Sequence, residues 1–130
     1  MSGNTYQITP FMHVASLDEA VRFFTETLDF TLPFRQANYA YVEREGAAIR
    51  ILESSCPEEL GVPHRGFGCY IDVRDLGEVQ AALGPRLAAL PAGDVHGPVD
   101  QPYGQRELMI RAPDGNLVVF GQPLPSQRRS

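Results

Sequence analysis

No stretch of this chain approaches the roughly 18 consecutive apolar residues that a membrane-spanning helix needs, which excludes such a span. The first residues, Met1 to Gln7, are polar and lack the charged-then-apolar order of a secretory leader, so a cytoplasmic location is the expectation. Cysteine is scarce. Cys56 and Cys69 have no metal-ligand spacing and read as two ordinary thiols in a reducing compartment. Basic charge is also in short supply, with 11 Lys and Arg against 16 Asp and Glu, a net charge of −5 and a pI near 5.1. The one adjacent basic pair, Arg128-Arg129, lies near the end of the chain, so there is no basic patch to meet phosphates and nucleic acid is not expected as a partner. Ser54-Ser55-Cys56 is not a nucleophile elbow, and no glycine-rich phosphate loop precedes a helix. The acids Glu58-Glu59 fall in a polar linker and read as solvated.

What is present is enough for one compact domain: 130 residues, 43% of them hydrophobic. Ser16-Leu17-Asp18-Glu19 has the form of a capping box, and Leu17, Ala20, Val21, Phe24 and Leu28 follow at helical spacing. The second half repeats the theme. Asp75-Leu76-Gly77-Glu78 opens a stripe of Leu76, Val79, Leu83, Leu87 and Leu90, in which Gly84-Pro85 predicts a break or kink. A strand precedes each helix, Tyr6 to Val14 and Gly66 to Val73, and three follow it. These are Phe30 to Gln36, Asn38 to Glu43 and Ala47 to Leu52, then Asp94 to Val99, Glu107 to Arg111 and Leu117 to Phe120. Glu45-Gly46 and Asp114-Gly115 supply the hairpin turns.

The chain therefore reads as an α+β fold built from a tandem βαβββ repeat. Repeat one spans about residues 5–53, a Pro-, Gly- and Glu-rich linker 54–65, repeat two about 66–122, and a solvated tail 123–130. Two such half-barrels must pack, within a chain or between chains, and would leave a cleft.

The layout, with Ile8-Thr9-Pro10, Phe23-Phe24, Leu28-Asp29-Phe30 and the Pro102-to-Phe120 hairpin, resembles the vicinal oxygen chelate superfamily of glyoxalases, extradiol dioxygenases and bleomycin-resistance proteins. Leu28-Asp29-Phe30 stands where the family usually has L-G-F, and Ala112-Pro113-Asp114-Gly115-Asn116 where it usually has D-P-x-G-N. The lost Asp reads as a turn hydrogen bond rather than chemistry. The family's metalloenzymes place His, Gln or Glu early in the first strand of a half and an acid three residues after the turn Asn. Counting from the caps and turns gives Thr9, Gly68, Arg50 and Val119 at those positions, and none is a ligand for a divalent ion. No metal site and no cofactor are therefore expected, and the resemblance narrows to the bleomycin-resistance-like group. For that group it implies a homodimer sequestering a small molecule in clefts between subunits.

Candidate ligand-binding residues follow. Tyr103 stands where that group often stacks an aromatic side chain on a planar ligand. His13 shares strand parity with Thr9 and Phe11, and reads either as a cavity group or as a satisfied interior histidine. The remaining histidines, His64 and His96, read as loop or surface groups. Arg50, facing the cleft, needs an anionic ligand or a carboxylate such as Glu107 on the other half. Phe34, Tyr39, Tyr41, Leu52, Met109 and Tyr103 are candidates to line one aromatic pocket, with core packing or a dimer interface as the alternative. Glu107 is either part of the site or, with Arg106, a solvated strand face. The expected guest is aromatic, and the negative chain favours a partly cationic one. The competing reading is a metal-dependent lyase, isomerase or dioxygenase in which His13, Glu107 and another acid converge.

Overall fold

A computed structural model of the chain describes residues 3–56, 58 and 67–125. Its elements run β1 (Phe11–Val14), α1 (Leu17–Arg22), β2 (Thr31–Gln36), β3 (Tyr39–Arg44), β4 (Ala47–Glu53), β5 (Gly68–Asp72), α2 (Leu76–Ala88), β6 (Val95–Asp100), β7 (Gln105–Arg111) and β8 (Leu117–Pro123). The strands form two four-stranded sheets of identical plan, β1-β4-β3-β2 and β5-β8-β7-β6. In each, the first strand runs parallel to the last and the other pairings are antiparallel. This is the tandem βαβββ repeat that the sequence predicts. No helix among the described residues is long and apolar enough to cross a membrane.

Each helix begins the same way. The side chain of Ser16 accepts a hydrogen bond from the Glu19 amide, and that of Asp75 from the Gly77 amide. The last strand of each half adds a second acceptor: Glu53 Oε2 takes the Leu17 amide at 3.1 Å, and Gln122 Oε1 takes the Leu76 amide at 2.6 Å. α1 continues into a π-helical turn, Phe23–Thr27, close to the predicted end at Leu28. Asp29 then adopts φ 62°, a left-handed conformation that explains why glycine suits this position and why Asp is tolerated. The turns at Glu45-Gly46 and Asp114-Gly115 also carry positive φ at both residues.

Three expectations need correction. Gly84-Pro85 does not interrupt α2, which runs unbroken from Leu76 to Ala88. Leu76, Val79, Leu83 and Leu87 are all buried, and that anchored face holds the helix together across the proline. The first strand begins at Phe11 rather than Tyr6. Pro10 has no amide proton to donate, although its carbonyl still accepts from the Arg50 amide at 2.9 Å. Finally, the solvated tail does not begin at 123. β8 includes Pro123, and the Leu124 amide donates to the Gly104 carbonyl at 2.9 Å. Most of the expected linker, with His64 and Glu59, and residues 126–130 lie outside the described residues.

The core lies between the helices and one face of each sheet. Met12, Val14, Ala40, Val42, Ile49 and Ile51 contribute from the first sheet, and Leu108, Ile110, Val118 and Phe120 from the second. Phe24 sits among them, edge-on to Phe23 and Phe30 at 5.4 and 5.3 Å between ring centroids. Pleating sends the alternate residues of every strand to the opposite, open face. Those two open faces are where the candidate residues project.

Candidate functional site

Register fixes which side chains meet on the open faces. On the first sheet Phe34 lies opposite Tyr41, Tyr41 opposite Arg50, and Arg50 beside Phe11. The next row holds Gln36, Tyr39, Leu52 and His13. On the second sheet His96, Met109, Val119 and Tyr70 form one row, and Glu107, Gly121 and Asp72 occupy the next.

The parity expected for His13 holds. It is exposed on the same side as Phe11, while its backbone carbonyl accepts from Asn116 Nδ2 at 3.2 Å. The first-strand neighbours of Arg50 and Val119 are Phe11 and Tyr70, two residues on from Thr9 and Gly68, the first-strand positions counted from the helix caps. A two-residue step keeps the face but changes the side chain. Phe11, Arg50, Tyr70 and Val119 do not fit a divalent metal: two are apolar, one is a cation and one a phenol. Among the described residues no group of three His, Cys, Asp or Glu side chains comes together elsewhere in the chain either, so His13 and Glu107 do not converge with another acid within one copy.

Arg50 does not find Glu107. Its Nη1 donates to Tyr39 Oη at 2.5 Å, and its guanidinium carbon lies 5.1 Å from the centre of the Tyr41 ring. Gln7 reaches in from the N-terminal segment and donates to Tyr41 Oη at 3.1 Å. Phe34 and Tyr39 pack with tilted rings, 5.9 Å apart.

Glu107 is not a solvated strand face. It is 4% exposed, and its carboxylate accepts from Tyr103 Oη at 2.7 Å and from Gln101 Nε2 at 3.2 Å. Arg106, its chain neighbour, points the other way and pairs with Asp100. Tyr103 presents its ring to solvent, 64% exposed, while its hydroxyl is tethered. That hydrogen bond and the nearby negative charge hold the Tyr103 phenol above its ordinary pKa. Tyr70, which no sequence motif marks, donates from its hydroxyl to Gln105 Oε1 at 3.1 Å. Burial of its hydroxyl end and the Glu107 carboxylate push this phenol up further. The available signal was Gly121, a glycine inside a strand, which often marks a close approach by another group.

The predicted single pocket is divided: Phe34, Tyr39, Tyr41 and Leu52 lie on the first sheet, Met109 on the second, and Tyr103 in the turn between β6 and β7. A hollow of about 350 Å³ lies where the halves meet, lined in part by Ile8, Pro10, Ala48 and Tyr70. Another of about 490 Å³ lies between the β3–β4 turn and the start of α2. It is lined largely by charged groups and by none of the predicted site residues.

A comparison with curated protein sequences gives no match. Among solved structures, the bleomycin-binding protein of bleomycin-producing Streptomyces verticillus, complexed with copper(II)-bleomycin, is similar with a TM-score of 0.74. It is 21% identical over 92% of this chain and 97% of that one. A bleomycin resistance determinant encoded on the transposon Tn5 gives 0.74 at 24% identity, over 92% and 98%. A glyoxalase/bleomycin resistance protein/dioxygenase from Nocardioides gives 0.69 at 20%, over 99% and 91%. At these identities the likeness is one of fold. The model of the Glyoxalase/Bleomycin resistance protein/Dioxygenase superfamily matches residues 8–120, and the chain belongs to that superfamily.

Proposed function

We propose that this protein binds a small planar aromatic molecule without transforming it, in clefts formed when the open sheet faces of two copies meet in a homodimer. One observation carries the reading. All five tyrosines of the chain lie either on an open face, as Tyr39, Tyr41 and Tyr70 do, beside one, as Tyr103 does, or on the segment leading into β1, as Tyr6 does. Phe11 and Phe34 join them at 55% and 49% exposure. Aromatic surface of this extent, left uncovered in one chain, suits stacking on a flat guest and burial against a second copy. Similarity of fold to proteins whose structures were solved with bleomycin agrees with a binding role, although fold alone does not assign function.

Within the cleft Tyr103 supplies the exposed ring, with Met109 on the floor beside it. Glu107, buried and bonded only to neutral donors among the described residues, supplies a negative charge for a cationic or strongly donating group of the guest. His13, Phe34 and Tyr41 line the opposing face. The side chains at the family's metal positions, Phe11, Arg50, Tyr70 and Val119, are poor ligands for a divalent ion, which supports a reading without metal chemistry.

The test is a titration with the planar aromatic cation proflavine, combined with sedimentation equilibrium. The expected result is a dimer that binds about one proflavine per chain, with the dye recovered unchanged and Tyr103→Ala weakening binding about tenfold. A chemically altered dye, or a monomer that binds it no better than Tyr103→Ala does, would overturn the proposal.

A further inference from the structure

Arg50 is the single charge in a row of aromatic rings. Phe34, Tyr41, Arg50 and Phe11 lie side by side across all four strands of the first sheet, facing its open side. The arginine is half-buried, and its surroundings are neutral: the Tyr39 hydroxyl at 2.5 Å and the Tyr41 ring at 5.1 Å. Arg35, Arg44, Arg86, Arg106 and Arg111 each have a carboxylate within salt-bridge distance. Arg22, Arg50 and Arg74 have none among the described residues, and of these three Arg50 alone is half-buried, the other two being exposed. A guanidinium carries five N–H donors in a planar fork, and Tyr39 accepts from one nitrogen. Stacking on Tyr41 and the bond to Tyr39 hold that fork in a defined orientation, so a partner meets a preorganised group. A half-buried cation without a counter-ion is unfavourable until an anion supplies one.

We propose that Arg50 is a carboxylate subsite, and that the guest is an aromatic carboxylate whose ring lies along Phe11, Tyr41 and Phe34. The proposal rests on the small-molecule reading above and names the group recognised on the first sheet. With Glu107 on the second sheet taking a donor, a guest spanning the cleft presents opposite charges at its two ends. The planar carboxylate matches the guanidinium fork through two parallel hydrogen bonds. The aromatic row excludes water around that contact and strengthens it.

The test uses 2-naphthoate and 2-naphthamide, which share size and shape and differ in charge, with calorimetric titration of the full chain. The wild-type protein should bind the naphthoate about tenfold more tightly than the amide, as a charge-assisted bidentate contact requires. Arg50→Met should abolish the preference, so that the naphthoate binds no more tightly than the amide, and Arg50→Lys should retain part of it. Equal affinity of the wild type for the two probes would overturn the carboxylate subsite and leave the aromatic-binding reading standing. Binding of neither would overturn both. An Arg50 that instead meets an acid of a second copy would show no preference between the probes. Arg50→Met would then weaken dimerisation, an outcome that also overturns the subsite. The wild-type comparison stands even if a variant fails to fold.

Discussion

The hydroxyl of Tyr70 occupies the space that a side chain on Gly121 would need. A β-carbon added there would lie 1.9 Å from Tyr70 Oη and 2.4 Å from its ring carbon Cζ. The two residues are one strand apart, so the ring leans across β8 to bring its hydroxyl to Gln105 beside Glu107. Gly121→Ala should therefore displace Tyr70 and cost about 1–3 kcal/mol, the usual penalty for overpacking a filled site. In a Tyr70→Ala background the same substitution should cost less than about 0.5 kcal/mol, since the obstacle is gone. Urea denaturation of the four proteins measures the coupling, and additive costs would refute the close approach.

Asn116 is 3% exposed and bonds in three directions. Its Oδ1 accepts from the Phe67 amide at 3.2 Å, and its Nδ2 donates to the carbonyls of Pro113 at 2.8 Å and His13 at 3.2 Å. Asn116→Ala would remove a partner from the part-buried Phe67 amide on the second half and from the His13 carbonyl on the first. The expected loss is about 2–4 kcal/mol, read from the denaturation midpoint. A loss below about 0.5 kcal/mol would mean that water replaces the amide without cost.

Alkaline pH should weaken the fold. The phenols of Tyr70 and Tyr103 both hold their protons to higher pH in the folded protein than in the unfolded chain. Above the ordinary phenol value of about 10, the unfolded chain therefore sheds protons first. This contribution to stability is full below that pH and is lost as pH rises toward the folded values. Glu107→Gln removes the negative charge that helps raise both phenols, and should flatten the decline of the urea midpoint between about pH 9.5 and 11. An unchanged slope in that variant would detach Glu107 from the two tyrosines.

The two thiols should react at different rates. Cys56 is exposed, whereas Cys69 is partly buried in β5, and burial pushes its thiol up to about 11. At pH 8 the folded chain should give one fast and one slow thiol with an aromatic disulfide reagent. The thiolate fraction of Cys69 should be lowered about a hundredfold relative to an ordinary thiol. Denaturant should make the rates equal. Two fast thiols in the native protein would contradict the placement of Cys69.

The repeat was legible because both halves spell it in local chemistry. Ser16 and Asp75 cap helices, and Glu45-Gly46 and Asp114-Gly115 tolerate the positive φ that tight hairpins demand. Face parity was legible for the same reason, since pleating has a period of two. The first-strand neighbours of Arg50 and Val119 were not. β1 and β4 pair in parallel across α1, β2 and β3, so no tight turn between them reports their register. The burial of Glu107 was hidden for a different reason. It depends on Tyr103 and Gln101 folding back over the start of β7, a contact visible only in three dimensions. At Pro85 the local preference for a break yields to the buried leucines of α2, which override it.

The hairpin turn after β7 reaches out of its own half. Asp114 Oδ2 takes the Ala15 amide at 2.8 Å, just ahead of α1, and Asn116 holds the carbonyl of His13. The matching residue of the first hairpin, Glu45, has a neighbouring side chain, Arg44, as its partner. The apparent symmetry is thus one-directional at this joint, with the later repeat clasping the entrance to the earlier helix. Two peptides produced by severing the chain between the repeats would be unequal. The second would carry the clasp, and the first would lack a donor's partner and a carbonyl's. They would recover the native arrangement by finding each other, as complementary fragments rather than as independent modules.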